Sequence, residues 1–346
     1  EDQDGCVGWG ETWCNYPAVA AEHRVRVLIS LVAPLAAELA LLDQPAILWT
    51  QLASRLAVLA IQTGEYGPIA QTIAGLECAA HDLAARRAGA PLHRYLDQRA
   101  NGRVAVYASG INPDGAPETA AAAMARGFAG CKIKVGFGAE IDAANLRGAR
   151  AQIGADAALM ADANQGWSFD QALAFLPVCD DVGLAWLEEP LRHDAPDAQW
   201  RSLAENTRVA IAAGENFSSV EDFETLPSRR HIKILQPDLG KWGGAALSLA
   251  IARASAHKGL VYCPHWLGSG VGLLASMHVK AASRTQSGYV EVDVNPNPMR
   301  QRIVEHIVGA PVDGAVTLPD TPGIGDIGPL VAEFSDALVM SEEASF

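Results

Sequence analysis

Seven apolar runs in the second half of the chain decide its fold: CKIK (131–134), ALMAD (158–162), GLAWLE (183–188), VAIAAGE (209–215), IKILQPD (232–238), GLVYCPH (259–265) and GYVEV (288–292). Each ends on or carries one polar residue, namely Lys134, Asp162, Glu188, Glu215, Asp238, His265 or Glu291. The steps between these residues are 28, 26, 27, 23, 27 and 26. A strand, a helix and two short loops consume about that many residues in a βα unit. The series therefore reads as parallel strands with intervening helices. In a (β/α)8 barrel the C-terminal strand ends meet on one face. The spacing thus predicts one mouth holding a lysine, carboxylates and a histidine.

Around this core the texture differs. Before about residue 100 the pattern is helical, with apolar faces over 18–42, 45–60 and 68–89. Arg86-Arg87 and Gly89 close the last of these, as suits a helix C-terminus. A strand is expected over Cys6-Val7-Gly8-Trp9-Gly10-Glu11, directly after a turn at 1–5. It has no earlier strand to pair with, so the sequence reads as starting inside a longer chain. Residues 1–100 are expected to form an α+β capping domain, with 97–103 as linker. Residues 101–300 are expected to form the barrel, beginning with a strand at 104–109. The Pro/Gly-rich segment 301–346 is expected to fold back on the first domain.

Composition narrows the partners. The net charge of −14 over 346 residues argues against a nucleic-acid surface. No uncharged apolar run approaches about 18 residues, so no membrane partner is expected. The cysteines at 6, 14, 78, 131, 179 and 263 are scattered without CxxC spacing. They read as reduced thiols, and the expected location is cytoplasmic.

The polar residues suggest a chemistry. Asp162, Glu188 and Glu215 end three successive strands, and carboxylates brought together without a cation repel strongly. A hard divalent ion resolves this, and an all-oxygen donor set favours Mg²⁺. Glu189, one residue on, should point to the opposite strand face. Lys132 and Lys134 share a face and should point into the barrel. Side by side and near a metal, two ammonium groups should depress one lysine pKa, which makes Lys134 a candidate base and leaves Lys132 to hold a substrate carboxylate. Asp238 can orient His265 by bonding one imidazole nitrogen. Ser109, Glu291 and Trp266 are candidate substrate contacts. Lys241 is read as a loop lysine more than as a further base.

In this order and spacing, Lys132-Ile133-Lys134, Asp162-Ala163-Asn164-Gln165-Gly166-Trp167, Glu188-Glu189-Pro190, Gly214-Glu215-Asn216, Gln236-Pro237-Asp238, Lys241-Trp242-Gly243-Gly244, Pro264-His265 and Glu291 resemble the enolase superfamily, and within it the mandelate racemase group. Gly8-Trp9-Gly10-Glu11 and residues 84–89 resemble that family's capping domain. The resemblance implies a modified (β/α)7β barrel under the α+β cap, the latter completed by the C-terminal tail. It implies Mg²⁺ on Asp162, Glu188 and Glu215, with Lys134 and the Asp238–His265 pair as acid/base groups on opposite faces of a substrate α-carbon. Asn164 falls in the same substrate-facing motif, and Lys241 matches the base of the muconate-lactonising group. The expected substrate is a small carboxylate and the expected assembly a homo-oligomer. The expected reaction is dehydration of an acid sugar to a 2-keto-3-deoxy product. Racemisation, epimerisation or lactone cycloisomerisation is the alternative, and a non-catalytic member or a barrel metal hydrolase fits less well.

Overall fold

The computed structural model describes residues 1–17, 19–285 and 287–343. The first block holds α1 (Ala20–Val27), α2 (Ala33–Glu38), α3 (Pro45–Thr63), α4 (Tyr66–Arg87) and α5 (Leu92–Leu96). The single helix expected over 18–42 is interrupted, because Leu28–Val32 winds as a π-helix between α1 and α2. Pro34 sits in the first turn of α2 and has no N–H to return to the preceding turn, so the ladder changes pitch just before it. Ala18 lies outside the described residues. Leu48, Leu52 and Leu56 line one face of α3 and pack with Ile69 and Ile73 of α4 in the core of this block.

The expected strand at 6–11 does not form. This stretch runs extended over α4 without entering a ladder. A Cβ on Gly8 would lie 2.2 Å from Ala79 O, and one on Gly10 would lie 2.1 Å from Gly75 O. The glycines thus serve close approach to a helix backbone, while Trp9 N donates to Asp82 Oδ2 at 2.9 Å.

The barrel runs β1 (Arg103–Ile111), α6 (Ala116–Ala125), β2 (Gly130–Lys134), α7 (Ala139–Ile153), β3 (Ala158–Asp162), α8 (Phe169–Asp181), β4 (Trp186–Glu188), α9 (Asp197–Glu205), β5 (Ala210–Ala213), α10 (Val220–Arg230), β6 (Ile234–Leu235), α11 (Gly244–His257), β7 (Val261–Tyr262), α12 (Gly270–Ser283) and β8 (Val290–Asp293). The parallel strands follow the order β7-β6-β5-β4-β3-β2-β1-β8. Between the end strands, Glu291 N donates to Pro264 O at 3.4 Å. Register places Lys134 beside Asp162, and Asp162 beside Glu188. Tyr107, Met160, Trp186, Ala212, Ile234 and Cys263 fill the interior beneath them. Alternation along each strand then turns Lys132, Lys134, Asp162 and Glu188 toward the same interior.

After the barrel come α13 (Pro298–Ile307), β9 (Ala315–Thr317) and α14 (Gly328–Ala332). The tail divides its contacts. The strand β9 pairs antiparallel with β1, on the barrel. Farther on, Gly323 O accepts from Leu92 N at 2.8 Å, Ile324 N donates to Asp82 Oδ1 at 2.7 Å, and Arg86 Nη2 donates to Gly325 O at 2.6 Å, all on the helical block. Among the described residues no helix is long and apolar enough to cross a membrane.

Candidate active site

The strand ends bring the expected residues into one connected cluster. Lys132 is 1% exposed, and its Nζ lies 2.5 Å from Glu188 Oε1, 2.9 Å from Glu291 Oε1 and 3.8 Å from Asp162 Oδ2. Lys134 Nζ donates to Asp162 Oδ2 at 2.7 Å and to Asn164 Oδ1 at 2.5 Å. Asn164 takes φ +41° just beyond β3, which turns its amide back to the lysine. On the far side, His265 Nδ1 lies 2.6 Å from Asp238 Oδ2, and its Nε2 lies 2.9 Å from Glu215 Oε2. The other oxygen of Asp238 accepts from Gly240 N and Lys241 N at 2.8 and 3.0 Å, so the orienting carboxylate is itself held by the turn after β6. Lys241 Nζ sits 3.4 Å from Glu215 Oε1 and 5.1 Å from the centre of the Trp13 ring. It therefore faces the cluster, contrary to its reading as a loop lysine.

Charge balance explains the shifts. Burial should neutralise the lysines, but Glu188 and Glu291 hold Lys132 well above its ordinary value, and Asp162 holds Lys134 above it. Among the protein's own groups, strand-end carboxylates thus outweigh the repulsion between the two ammonium groups, and neither lysine is depressed. His265 is likewise raised against burial, by Glu215, Glu291 and Asp238. Burial opposes ionisation of Glu215, yet His265 and Lys241 hold its carboxyl well below the usual range. Burial lifts Glu188 to about 7, with Lys132 pulling down and Asp162 pushing up.

Strand alternation fails at Glu189. The strand ends at Glu188, and φ +39° at Glu189 swings its buried carboxylate back into the mouth, where Asn216 Nδ2 donates to both oxygens at 3.0 and 2.9 Å. Burial and Glu215 raise it to about 8. Gln236 and Trp186 also reach this network, both donating to Glu188 Oε2. The Glu-Glu-Pro sequence was the available signal for Glu189. A carboxylate after so short a strand need not keep the strand's alternation.

Two expected substrate contacts are occupied within the protein. Ser109 Oγ donates to Glu291. Trp266 is 1% exposed, packs against the backbone of Gly240, Gly268 and Gly272, and donates Nε1–H to Ser269 O at 3.0 Å. This is a packing position behind the His265 turn, and the reading of Trp266 as a substrate surface is corrected accordingly. Glu291 differs: burial opposes its charge, Lys132 and His265 draw it down to about 2, and its Oε2 has no hydrogen-bond partner among the described residues.

The donor set suits a hard dication. Asp162, Glu188, Glu189, Glu215, Asp238 and Glu291 face Lys132, Lys134, Lys241 and His265, so with all six carboxyls ionised they would outnumber the four cations by two, and the raised Glu188 and Glu189 mark that excess. Such an excess in a buried all-oxygen mouth is what Mg²⁺ relieves. Among the described residues no three His, Cys, Asp or Glu side chains converge as a ready-made cage. Asp162, Glu188 and Glu215 are instead turned toward Lys134, Lys132 and His265, respectively.

A groove of about 700 Å³ borders the mouth, with Glu215, Asn216 and Lys241 on one side and Leu56, Ile69 and Ile73 of α3 and α4 on the other. The helical block thus forms one wall of the approach.

Comparison with known proteins agrees with this architecture. Residues 1–96 match the mandelate racemase / muconate lactonizing enzyme N-terminal domain, and residues 116–326 match the enolase C-terminal domain-like family. The D-galactarolactone cycloisomerase of Agrobacterium fabrum is 32% identical over 94% of this chain and 86% of its own length. The arabinonate dehydratase of Saccharolobus solfataricus is 27% identical over the same shares, 94% and 86%. A mandelate racemase/muconate lactonizing enzyme structure from Bordetella bronchiseptica RB50 superposes with a TM-score of 0.88 at 44% identity, covering 96% of this chain and 92% of that one. A racemase structure from Streptomyces coelicolor A3(2) with bound magnesium gives 0.79 at 25% identity, covering 96% and 93%. With both domain models matched and the strand-end cluster in place, the chain belongs to the mandelate racemase / muconate lactonizing enzyme family of the enolase superfamily, as an enzyme of the lyase or isomerase kind.

Proposed function

We propose that this enzyme removes the proton α to the carboxylate of a small acid sugar and expels the β-hydroxyl as water, giving a 2-keto-3-deoxy acid. One observation carries the reading. Two proton-transfer groups, Lys134 at the end of β2 and His265 after β7, stand at the two ends of the row Asp162, Glu188, Glu215.

Asp162, Glu188 and Glu215 would hold Mg²⁺. When bound, that ion would supply an electrophilic counter-charge for the substrate carboxylate oxygens as the α-proton leaves, and would relieve the carboxylate charge that otherwise keeps Lys134 protonated. Lys134, as the free amine, takes the α-proton from one face. The electron pair left by that proton then forms the C=C bond as the C–O bond breaks, and His265, oriented by Asp238, gives its proton to the departing β-hydroxyl, leaving water and an enol. The enol then tautomerises to the keto acid. Lys132 offers its ammonium, and Glu291 its unpartnered Oε2, to the substrate carboxyl and hydroxyl groups.

The same pair of groups supports a second reading, lactone cycloisomerisation, favoured by the cycloisomerase relative and by Lys241 facing Glu215. Incubating aldonates, aldarates and their lactones in D₂O with Mg²⁺ separates the two. Dehydration turns an open acid into a 2-keto acid with loss of water, whereas cycloisomerisation expels the ring oxygen of a lactone from the β-carbon and gives an open 2-keto acid of unchanged mass. A panel that yields neither product nor α-deuterium removes both readings. Chelation of divalent metal should abolish turnover, and full activity in chelator would remove the metal from the scheme.

A further inference from the structure

The helical block reaches into the barrel with two carboxylates, and both land on helices that follow the Asp238 and His265 strands. Glu77, on α4, is fully buried. Its oxygens accept from Ala245 N at 2.7 Å and Ala246 N at 2.9 Å, in the first turn of α11. His81 Nδ1 lies 3.0 Å from Glu77 Oε1 and completes its shell. Glu11, on the extended segment, accepts from Ser269 N at 2.6 Å, Ser269 Oγ at 2.5 Å and Gly272 N at 2.9 Å, at the start of α12. The first N–H groups of a helix have no partner inside it, and an anion there also meets the positive end of the helix dipole. In this fold a separate domain supplies those anions across the interface.

What the two carboxylates fix is short and rigid. From Asp238 to the start of α11 the chain turns in a few residues, and Asp238 Oδ1 is bonded to the N–H groups of Gly240 and Lys241 inside that turn. Between His265 and α12 lies Trp266, wedged against Gly240 of one turn, Gly268 of the other and Gly272 in the first turn of α12. Asn15 adds a bond to Leu267 O at 2.6 Å. The two turns therefore touch through the Trp266 ring, and each is anchored at its far end by one carboxylate of the helical block.

We infer that Glu11 and Glu77 are positioning residues for the Asp238–His265 pair, coupling the seating of the helical block to the alignment of the imidazole. Neither touches the reacting atoms; each acts through a helix start. This rests on the assignment of His265 and Lys134 to opposite faces, so the test reads the faces separately. Glu11→Gln and Glu77→Gln keep shape but replace one accepting oxygen with a donor, where both oxygens are used. Solvent-deuterium exchange is measured on both C2 epimers of an acid. The variants should lose exchange on the His265 face by about 100-fold, the scale of a 1 Å misalignment, and keep exchange on the Lys134 face within about threefold of the parent. Equal loss on both faces, or none on either, would overturn the inference.

A second readout needs no substrate. The 2.6 Å His265–Asp238 bond should give a far-downfield imidazole proton resonance, assigned by its absence in His265→Asn. In folded Glu11→Gln and Glu77→Gln the signal should shift or broaden, and an unchanged resonance would count against the inference. If the parent enzyme exchanges no α-proton, the reaction assignment falls while the resonance still tests the positioning.

Discussion

At the level of single residues, the cluster shows how far a sequence can specify proton chemistry. Each polar strand end was legible because its strand brought it to the mouth, and Lys134, Asp162 and Glu188 indeed stand side by side in register. Protonation states were not legible, because they depend on distances across strands. Two neighbouring lysines suggested a depressed pKa, yet Glu188 lies 2.5 Å from Lys132 and reverses the sign. Glu189 escaped for a related reason: its φ of +39° is set by the end of β4, and alternation has no hold beyond a strand's last residue. The proposed division of labour makes His265→Asn and Lys134→Ala informative. Each should fold with an unfolding midpoint near that of the parent and lose turnover by about 10²–10⁴-fold, the usual contribution of a positioned acid or base. Measured kcat values within a few-fold of the parent would remove the altered residue from the scheme.

At the level of elements, the helices and strands of the barrel followed from apolar runs and their period, whereas the first block was harder to read. The segment at 6–11 has the composition of a strand, but its glycines are used to lie against α4, a long-range contact that a local pattern does not encode. Gly243-Gly244 is the same kind of device at the start of α11. Gly244 has φ +63°, and a Cβ there would lie 2.2 Å from Glu77 Oε2. Gly244→Ala should therefore combine backbone strain with displacement of a buried carboxylate, costing roughly 1–3 kcal/mol for the clash beyond the strain itself. Gly259 provides the control, with φ +69° and nothing within 4 Å of the added carbon. Urea unfolding should show Gly244→Ala the more destabilised of the two. Equal losses would mean that conformation alone matters and that the Glu77 contact does not resist the methyl group.

At the level of the whole molecule, the helical block and barrel are also joined by a buried histidine pair, His93 and His278, far apart in sequence and in no motif. His93 of α5 and His278 of α12 are both fully buried. His278 Nδ1 lies 3.0 Å from His93 N and 3.1 Å from His93 Nδ1. Because it accepts the backbone N–H, His278 Nδ1 carries no proton, and His93 Nδ1 must donate to it. Protonating His278 there would expel both donors. Burial lowers both rings, most strongly His278, with Arg94 depressing His93 further and Asp320 opposing it. The sign follows from linkage. A histidine whose folded pKa lies below its unfolded value binds more protons when unfolded, so its stability is present above pH of about 6.5 and is lost as pH falls below that value. Glu11 and Asp82, whose carboxyl pKa values burial raises, act in the opposite sense at lower pH. The histidine effect should thus appear first, between about pH 6.5 and 5. Chemical unfolding of the parent and of His278→Asn at pH 7.5 and 5.5 isolates it. The variant is expected to be weaker at pH 7.5, having lost a buried acceptor, but to lose less stability than the parent on acidification. A variant as acid-sensitive as the parent over that interval would show that the pair does not set the acid limit of the domain junction.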